Sequence, residues 1–199
     1  AGSSSPVLFA LQGKPAVAFF KGEALVAQAL SDGSELWRHP LETHSAVNAA
    51  MPTVRGNKIF ISSGYDHGSA VLDFSSGTPA VVWQHEEMRN HFNSCLFHEG
   101  HLYGIDDGGK LKCLEFDTGA VKWEKGRFGK GPVILGGDKL IVLSEDGELV
   151  IAAAKPEAFE ELSRAKVLPK RCWVSPALAS GLLYVRNNSG KLLCLDLRS

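Results

Sequence analysis

The residues best suited to chemistry form one polar run, Arg89-Asn90-His91-Phe92-Asn93-Ser94. It combines a guanidinium, an imidazole and two amides, which together can donate to and accept from a polar ligand. One interpretation is a ligand-binding cluster in which His91 and Asn93 point into a binding funnel. The alternative is that the Asn and Ser side chains satisfy backbone groups where a loop enters a strand, as these residues often do.

Other polar residues can act with this run only if the fold brings them together. The segment Arg171-Cys172-Trp173 places a cation beside an indole, which is either a stacking platform or ordinary packing. The predicted ligand-binding residues are Asp66, Arg89, His91, Asn93, Asp106, Arg171, Trp173, Arg186 and Asn187.

No motif predicts catalysis or a metal site. The chain has no G-x-S-x-G elbow and no glycine-rich phosphate loop opening a helix. His98 and His101 flank a turn, and spacing supplies no third ligand. The acidic pairs Asp106-Asp107 and Glu145-Asp146 lack the D-x-D-x-D-G calcium pattern, and turn formation accounts for them. We therefore predict no catalytic residue and no metal ligand.

The elements that position these residues are clearest between Gly100 and Trp123. This stretch reads as three short alternating runs separated by Asp107-Gly108-Gly109 and Asp117-Thr118-Gly119. Asp, Asn and Gly tolerate the positive φ that tight hairpin turns require, so the stretch predicts a small antiparallel meander that ends in a tryptophan.

The same unit recurs along the chain. Phe60, Tyr103, Ile141 and Tyr184 take equivalent second-strand positions at intervals of roughly 40 residues, and Gly13 to Phe20 is a looser copy. Repeats of this length with four strands each are typical of β-propeller blades. We therefore predict an all-β fold, a β-propeller of about five four-stranded antiparallel blades. The predicted blades cover residues 3–38, 47–84, 91–124, 129–168 and 171–199.

Two of the predicted blades depart from the repeat. In the fourth, the usual turn and tryptophan are replaced by residues 155–164, where a proline, acidic residues and an apolar i, i+3 pair predict a short helical turn. The last blade has three strands and lacks its outer one. An unpaired edge is unfavourable, so the chain is expected to be part of a larger ring.

Topology predicts which residues share a face. The first and third strands of a meander run in the same direction, so the loops between blades and the tips between second and third strands open on one side. The candidate residues lie in these loops and tips. Trp37, Trp83 and Trp123 end fourth strands at equivalent positions and are interpreted as wedges between blades.

Composition excludes some functions and leaves others open. With 44% hydrophobic residues, 22% charged residues and a net charge of −1, nothing favours nucleic acid or an anionic membrane. No apolar run is long enough to span a membrane. Cys95 and Cys113 lie on the first and third strands of one predicted blade, so an intervening strand holds them too far apart to pair. The same applies less firmly to Cys172, which precedes a first strand, and Cys194, on the third strand of that blade; all four are predicted to be free and buried.

The repeat resembles the quinoprotein-type, or PQQ-like, β-propeller proteins. The matching elements are the first-strand starts Ser5-Pro6, Met51-Pro52 and Ser175-Pro176, the G-K-L-x-C-L third strand, and the D-T-G-x-x-x-W segment from Asp117 to Trp123. In detail the chain is similar to the C-terminal five blades of eight-bladed propellers common in planctomycetes and verrucomicrobia. Segments that carry this likeness are FISSGYDHGSAVL, NHFNSCLFHEGHLYG and CWVSPALASGLLYVRNNSGKLLCLDL.

The resemblance implies a non-catalytic, periplasmic or otherwise extracytoplasmic bacterial scaffold that binds a protein or a small polar ligand through the funnel face. Missing blades would come from another chain segment or an oligomer. The alternative is part of a PQQ-dependent dehydrogenase, which needs the quinone stacked on tryptophan with calcium held by Glu, Asn and Asp. Enzymes of that type often carry adjacent cysteines, which this chain lacks, so no cofactor is expected.

Overall fold

The computed structural model describes residues 3–41, 43 and 47–198, and all of the regular elements in these ranges are β-strands. Blade A contains β1 (Val7–Leu11), β2 (Lys14–Phe20), β3 (Ala24–Ala29) and β4 (Glu35–Pro40). Blade B contains β5 (Thr53–Arg55), β6 (Lys58–Ser63), β7 (Gly68–Asp73) and β8 (Ala80–His85). Blade C contains β9 (Leu96–His98), β10 (His101–Ile105), β11 (Leu111–Glu115) and β12 (Val121–Lys125). Blade D contains β13 (Val133–Gly136), β14 (Lys139–Leu143), β15 (Glu148–Ala153) and β16 (Glu161–Lys166), and blade E contains β17 (Ala177–Ala179), β18 (Leu182–Arg186) and β19 (Leu192–Asp196).

Each sheet is an antiparallel meander in which every strand pairs with its neighbour in sequence. Four sheets have four strands and the sheet of blade E has three. The predicted β-propeller of about five blades is confirmed. The helical turn predicted for residues 155–164 is wrong: β16 occupies 161–166 and pairs along β15. The ladder with β15 supplies the backbone hydrogen bonds that a single helical turn would leave largely unmade.

Glycine allows the tightest turns. Gly119, which closes the hairpin before β12, has a φ of +75°, and a Cβ there would overlap the imidazole of His85 on the adjacent blade. Gly68, at the start of β7, has a φ of +112°, and a Cβ there would overlap the His85 carbonyl oxygen. Both positions thus combine a left-handed backbone with close packing.

The register between third and fourth strands repeats from blade to blade. In blades A, B and C, a residue of the third strand faces a tryptophan of the fourth strand. These pairs are Ala27 with Trp37, Val71 with Trp83 and Cys113 with Trp123. A one-residue irregularity follows directly after Ala27, Val71, Cys113 and, in blade D, Ile151. In blade D the residue opposite Ile151 is Ser163.

The tryptophans lock neighbouring blades together, as predicted. Each lies in a hydrophobic cluster with the following blade. The indole Nε1 of Trp83 donates to the Phe116 carbonyl at 2.9 Å, and that of Trp123 donates to the Lys155 carbonyl at 2.9 Å. Because both acceptors belong to the next blade, each indole is a hydrogen-bonded joint as well as an apolar wedge.

The outer flank of blade E is more exposed than the equivalent surface at a joint between blades. Tyr103 and Leu111 of blade C are buried against blade D, whereas the equivalent Tyr184 and Leu192 of blade E are 37% and 61% exposed. All four cysteines are free. The prediction that all are buried is wrong for Cys194, which is exposed because it lies on this same flank.

Candidate functional site

The inter-blade loops and the hairpin tips meet on one face, as topology predicts. We call this face the rim: the inter-blade loops 88–95, 126–132 and 167–176, with the tips 64–67, 106–110, 144–147 and 187–191. Backbone hydrogen bonds tie the tips of blades C, D and E to the loop that enters the same blade. Asp107 N donates to the Arg89 carbonyl at 2.6 Å, and Asn188 N donates to the Arg171 carbonyl at 2.8 Å.

Three ion pairs on the rim share one arrangement. In each, an acid from the tip of one blade meets a base from the loop that enters the next blade. The pairs are Asp66–Arg89 (2.8 Å), Asp107–Lys130 (3.2 Å) and Glu145–Arg171 (3.5 Å). Burial of Asp107 acts to raise its pKa, but the Tyr65 N–H and the Lys130 ammonium outweigh burial and lower the pKa. Negative and positive groups therefore alternate along the rim.

A row of aromatic rings crosses the rim between these pairs. Tyr65 and His91 have ring centroids 4.7 Å apart, His91 and Phe92 5.1 Å, and Phe92 and Trp173 5.1 Å. The Arg171 guanidinium lies 4.4 Å from the Trp173 ring centroid, within cation–π range. We call Tyr65, His91, Phe92 and Trp173 the aromatic row; it joins residues of blade B to the loops entering blades C and E.

Some polar atoms of the row have no partner. Both ring nitrogens of His91 and the Nε1 of Trp173 are buried and make no hydrogen bond with the described residues. Burial, assisted by the nearby Lys130 ammonium, lowers the pKa of His91. The imidazole is therefore neutral at pH 7, with one N–H donor and one acceptor. Unsatisfied polar groups of this kind are uncommon and often mark a functional site.

Several predicted ligand-binding residues instead make hydrogen bonds or ion pairs within the protein. Asp106 and Asn187 are 4% and 1% exposed, and each accepts from a backbone N–H four residues later, Lys110 N and Lys191 N, closing its own hairpin. Asp106 also pairs with the buried Lys112 ammonium at 3.1 Å. The Asn93 amide donates to a backbone carbonyl in the loop entering blade D.

The structure thus brings together His91, Trp173 and Arg171, and gives Asp66 and Arg89 a place in the rim ion pairs. Arg186 is exposed at the end of β18. Sequence reasoning missed Phe92, which lay inside the polar run, and Lys130. Lys130 holds the same place in the loop entering blade D that His91 and Trp173 hold in theirs, so aligning the loops by repeat position would have found it.

No three His, Cys, Asp or Glu side chains in the described ranges are arranged to hold a metal ion. The same ranges contain no helix of the length and apolarity that crossing a membrane requires.

These features define the class of the protein as a PQQ-like β-propeller, with four-stranded blades joined by tryptophan wedges. The chain belongs to the family of the outer membrane protein assembly factor BamB, whose sequence model matches residues 1–125 and 67–199. No curated protein sequence matches the chain.

Solved structures agree on the fold. BamB from Moraxella catarrhalis superposes with a TM-score of 0.75 at 17% identity over 97% of this chain. The computationally designed Ika8 protein superposes with a TM-score of 0.72 at 13% identity over 94% of it, and the designed Ika4 protein with 0.66 at 14% over 83%. The chain spans 58% of the BamB chain, 56% of Ika8 and 99% of Ika4.

Proposed function

We propose that this chain is a non-catalytic, extracytoplasmic scaffold that binds a partner protein through the aromatic row. The observation that carries the proposal is the continuity of four rings across the rim, flanked by Arg171. Tyrosine, tryptophan and arginine are the residues that dominate protein interfaces, because they bury a large area at a low entropic cost. The extracytoplasmic location rests on membership of the BamB family.

The rim chemistry favours a binding surface over a quinone site. A calcium ion beside PQQ would need several carboxylate and amide oxygens directed at one point. Asp66, Asp107 and Glu145 are each paired with a base of the following blade, and Asp106 is enclosed with Lys112. This donor set does not fit a calcium–quinone site, and we assign no step to that cofactor.

The open flank of blade E supports a second part of the proposal, that the five blades are an arc of an eight-bladed ring. Tyr184 and Leu192 stand where Tyr103 and Leu111 pack on the next blade, so another blade would cover them. The remaining blades would come from another chain segment or another copy. We expect the 199-residue chain to self-associate in sedimentation experiments and Tyr184→Glu to reduce this; a strictly monomeric wild type would contradict it.

Binding by the aromatic row is tested with a displayed library of random peptides. The library is selected on the chain, and the enriched peptides are titrated calorimetrically. Trp173→Ala removes the ring that Arg171 covers and is expected to weaken binding by about 30-fold, the effect of losing ~2 kcal/mol at a hot spot. The control is Leu162→Ala, which removes an exposed apolar side chain of β16 remote from the rim and should leave binding within about 2-fold.

Two outcomes would overturn the proposal. Peptides that bind wild type and Trp173→Ala equally would remove the aromatic row from the interface. A one-to-one complex with PQQ and calcium, detected by absorbance and by thermal shift, would replace the scaffold with the quinoprotein alternative.

A further inference from the structure

The joint between blades D and E lacks the wedge that the other joints share. Ser163 faces Ile151 in the register that Trp83 and Trp123 hold opposite Val71 and Cys113. Ser163 and the rest of β16 are exposed. The indole wedge is therefore missing from this joint alone among the four that the described residues form.

A cavity lies where the indole would be. It has a volume of about 380 Å³ and its floor is formed by Ile141 and Ile151. These residues are the counterparts of Tyr103 and Cys113, on which Trp123 rests, since Tyr103 pairs with Cys113 as Ile141 pairs with Ile151. Leu178, Gly181 and Leu197 of blade E form the opposite wall. The position of the cavity therefore follows from the missing tryptophan.

A second side chain is also missing at this joint. In blade B, Arg55 covers Phe97 of the next blade, with its guanidinium 4.4 Å from the ring centroid. The residue at the position of Arg55 in blade D is Gly136, because both pair with the lysine that opens the second strand. The counterpart of Phe97 is Leu178, which lies directly against Gly136. Two absent side chains thus enlarge the same space.

The acceptor for an indole N–H is nevertheless in place. Trp83 donates to the Phe116 carbonyl, and Phe116 N itself donates to the Gly100 carbonyl at 2.9 Å. In blade E the equivalent bond runs from Leu197 N to the Gly181 carbonyl at 2.8 Å. Leu197, which lines the cavity, is therefore the counterpart of Phe116, whose carbonyl accepts from Trp83.

We propose that the D–E joint is a binding site for a free, planar aromatic heterocycle of indole size that carries an N–H donor. The ring would lie on Ile141 and Ile151 and donate to the Leu197 carbonyl, as Trp83 does two joints earlier to Phe116. The ligand is a free molecule because Ser163 of β16 occupies the position that carries tryptophan in the other joints, so the chain itself supplies no indole here. This site is independent of the aromatic row, since its lining residues lie on or beside the strands of blades D and E and outside the rim.

Indole itself is the probe, titrated into the 199-residue chain by ligand-observed NMR and calorimetry. A dissociation constant on the order of 10⁻⁴ to 10⁻³ M is expected for a ligand this small. Benzofuran has the same shape without the N–H and should bind about 2- to 10-fold more weakly, because the carbonyl loses its donor. Equal binding of benzofuran would overturn the assigned hydrogen bond, and no binding of indole at 5 mM (roughly five times the weakest expected constant) would overturn the site.

Variants locate the ligand. Ser163→Trp restores the wedge from within the chain and is expected to abolish indole binding while raising the melting temperature. Ser163→Phe places a smaller ring in the cavity and keeps the test valid if the tryptophan variant folds poorly; it should also abolish binding. The control is Lys166→Trp, which lies three residues from Ser163 in the regular part of the ladder, adds an indole to the opposite, exposed face of β16 and should leave indole affinity within about 2-fold.

Other results with these variants and with a tryptophan derivative would also overturn the proposal. Loss of binding in Lys166→Trp, or retained binding in both Ser163 variants, would overturn the site. Binding of N-acetyltryptophanamide at least about 10-fold tighter than indole would show that the cavity accepts a partner's side chain, and would overturn the assignment to a free ligand.

Discussion

The two tryptophans Trp37 and Trp83 allow the value of the inter-blade hydrogen bond to be isolated. Both are buried, and both take the same position in their blades. Trp83 Nε1 donates to the Phe116 carbonyl at 2.9 Å, whereas Trp37 Nε1 has no hydrogen-bond partner in the described residues. Replacing each by phenylalanine removes a similar apolar area, and only Trp83→Phe also removes a bond.

The magnitudes follow from these differences. The lost apolar area costs about 1–1.5 kcal/mol in either variant. In Trp83→Phe the buried Phe116 carbonyl loses its donor, which adds about 1–3 kcal/mol. In Trp37→Phe a buried unpaired donor is removed, which offsets part of the area term. Trp83→Phe should therefore lower the free energy of unfolding by about 2–4 kcal/mol, and Trp37→Phe by about 1 kcal/mol or less.

Urea unfolding followed by far-UV circular dichroism measures both variants against wild type, with the slope of each transition checked for equality. Equal losses of stability in the two variants would refute the assignment of the indole–carbonyl bond as a joint between blades. Trp123→Phe is the internal replicate, because Trp123 donates to the Lys155 carbonyl at the same 2.9 Å, and should match Trp83→Phe.

Three further predictions concern other parts of the fold. Lys112→Met leaves a buried acid without its cation and should cost about 3–5 kcal/mol in urea unfolding. The hydrogen bond from Lys112 lowers the pKa of Glu87 below its ordinary value of 4.5. The stabilisation from Glu87 is therefore present above pH 4.5 and is lost as the pH falls through the lowered pKa of the folded state. The decrease of the unfolding free energy with falling pH should be less steep in Lys112→Met, and an unchanged slope would contradict this. In native protein a thiol reagent should label Cys194 alone, because the other three cysteines are buried; labelling that persists in Cys194→Ser would be inconsistent with the flank described for blade E. Gly68→Ala should lower the melting temperature by several degrees, since it combines φ of +112° with overlap on the His85 carbonyl, and an unchanged melting temperature would rule out that overlap.

The repeat could be predicted from sequence because it is written in local signals. Alternation, Asp-Gly turns and a tryptophan at a fixed place determine strands, hairpins and their order without long-range information. The same logic failed at residues 155–164, where local helical signals were overruled by pairing of β16 with β15. The helical propensity of a single turn is weak compared with the backbone hydrogen bonds of a complete β-strand ladder.

The site was predictable only in part, for a different reason. Topology placed His91 and Trp173 on one face, but their link through Phe92 spans loops of different blades, and no local pattern encodes it. Asp106 and Asn187 have the polarity of ligand contacts, yet both are consumed in closing their own hairpins. Distinguishing a side chain that serves its turn from one that serves a ligand requires the hydrogen-bond partners themselves.

The ion pairs of the rim give the blades a direction. Blades B, C and D each present an acid to the following blade, and blades C, D and E each present a base to the preceding one. A duplicated central blade would therefore meet its own copy with complementary charges, whereas an inverted one would meet like charges. Because blade C carries an acid, a base and a tryptophan wedge, a tandem copy of blade C would form the same kind of joint with the original.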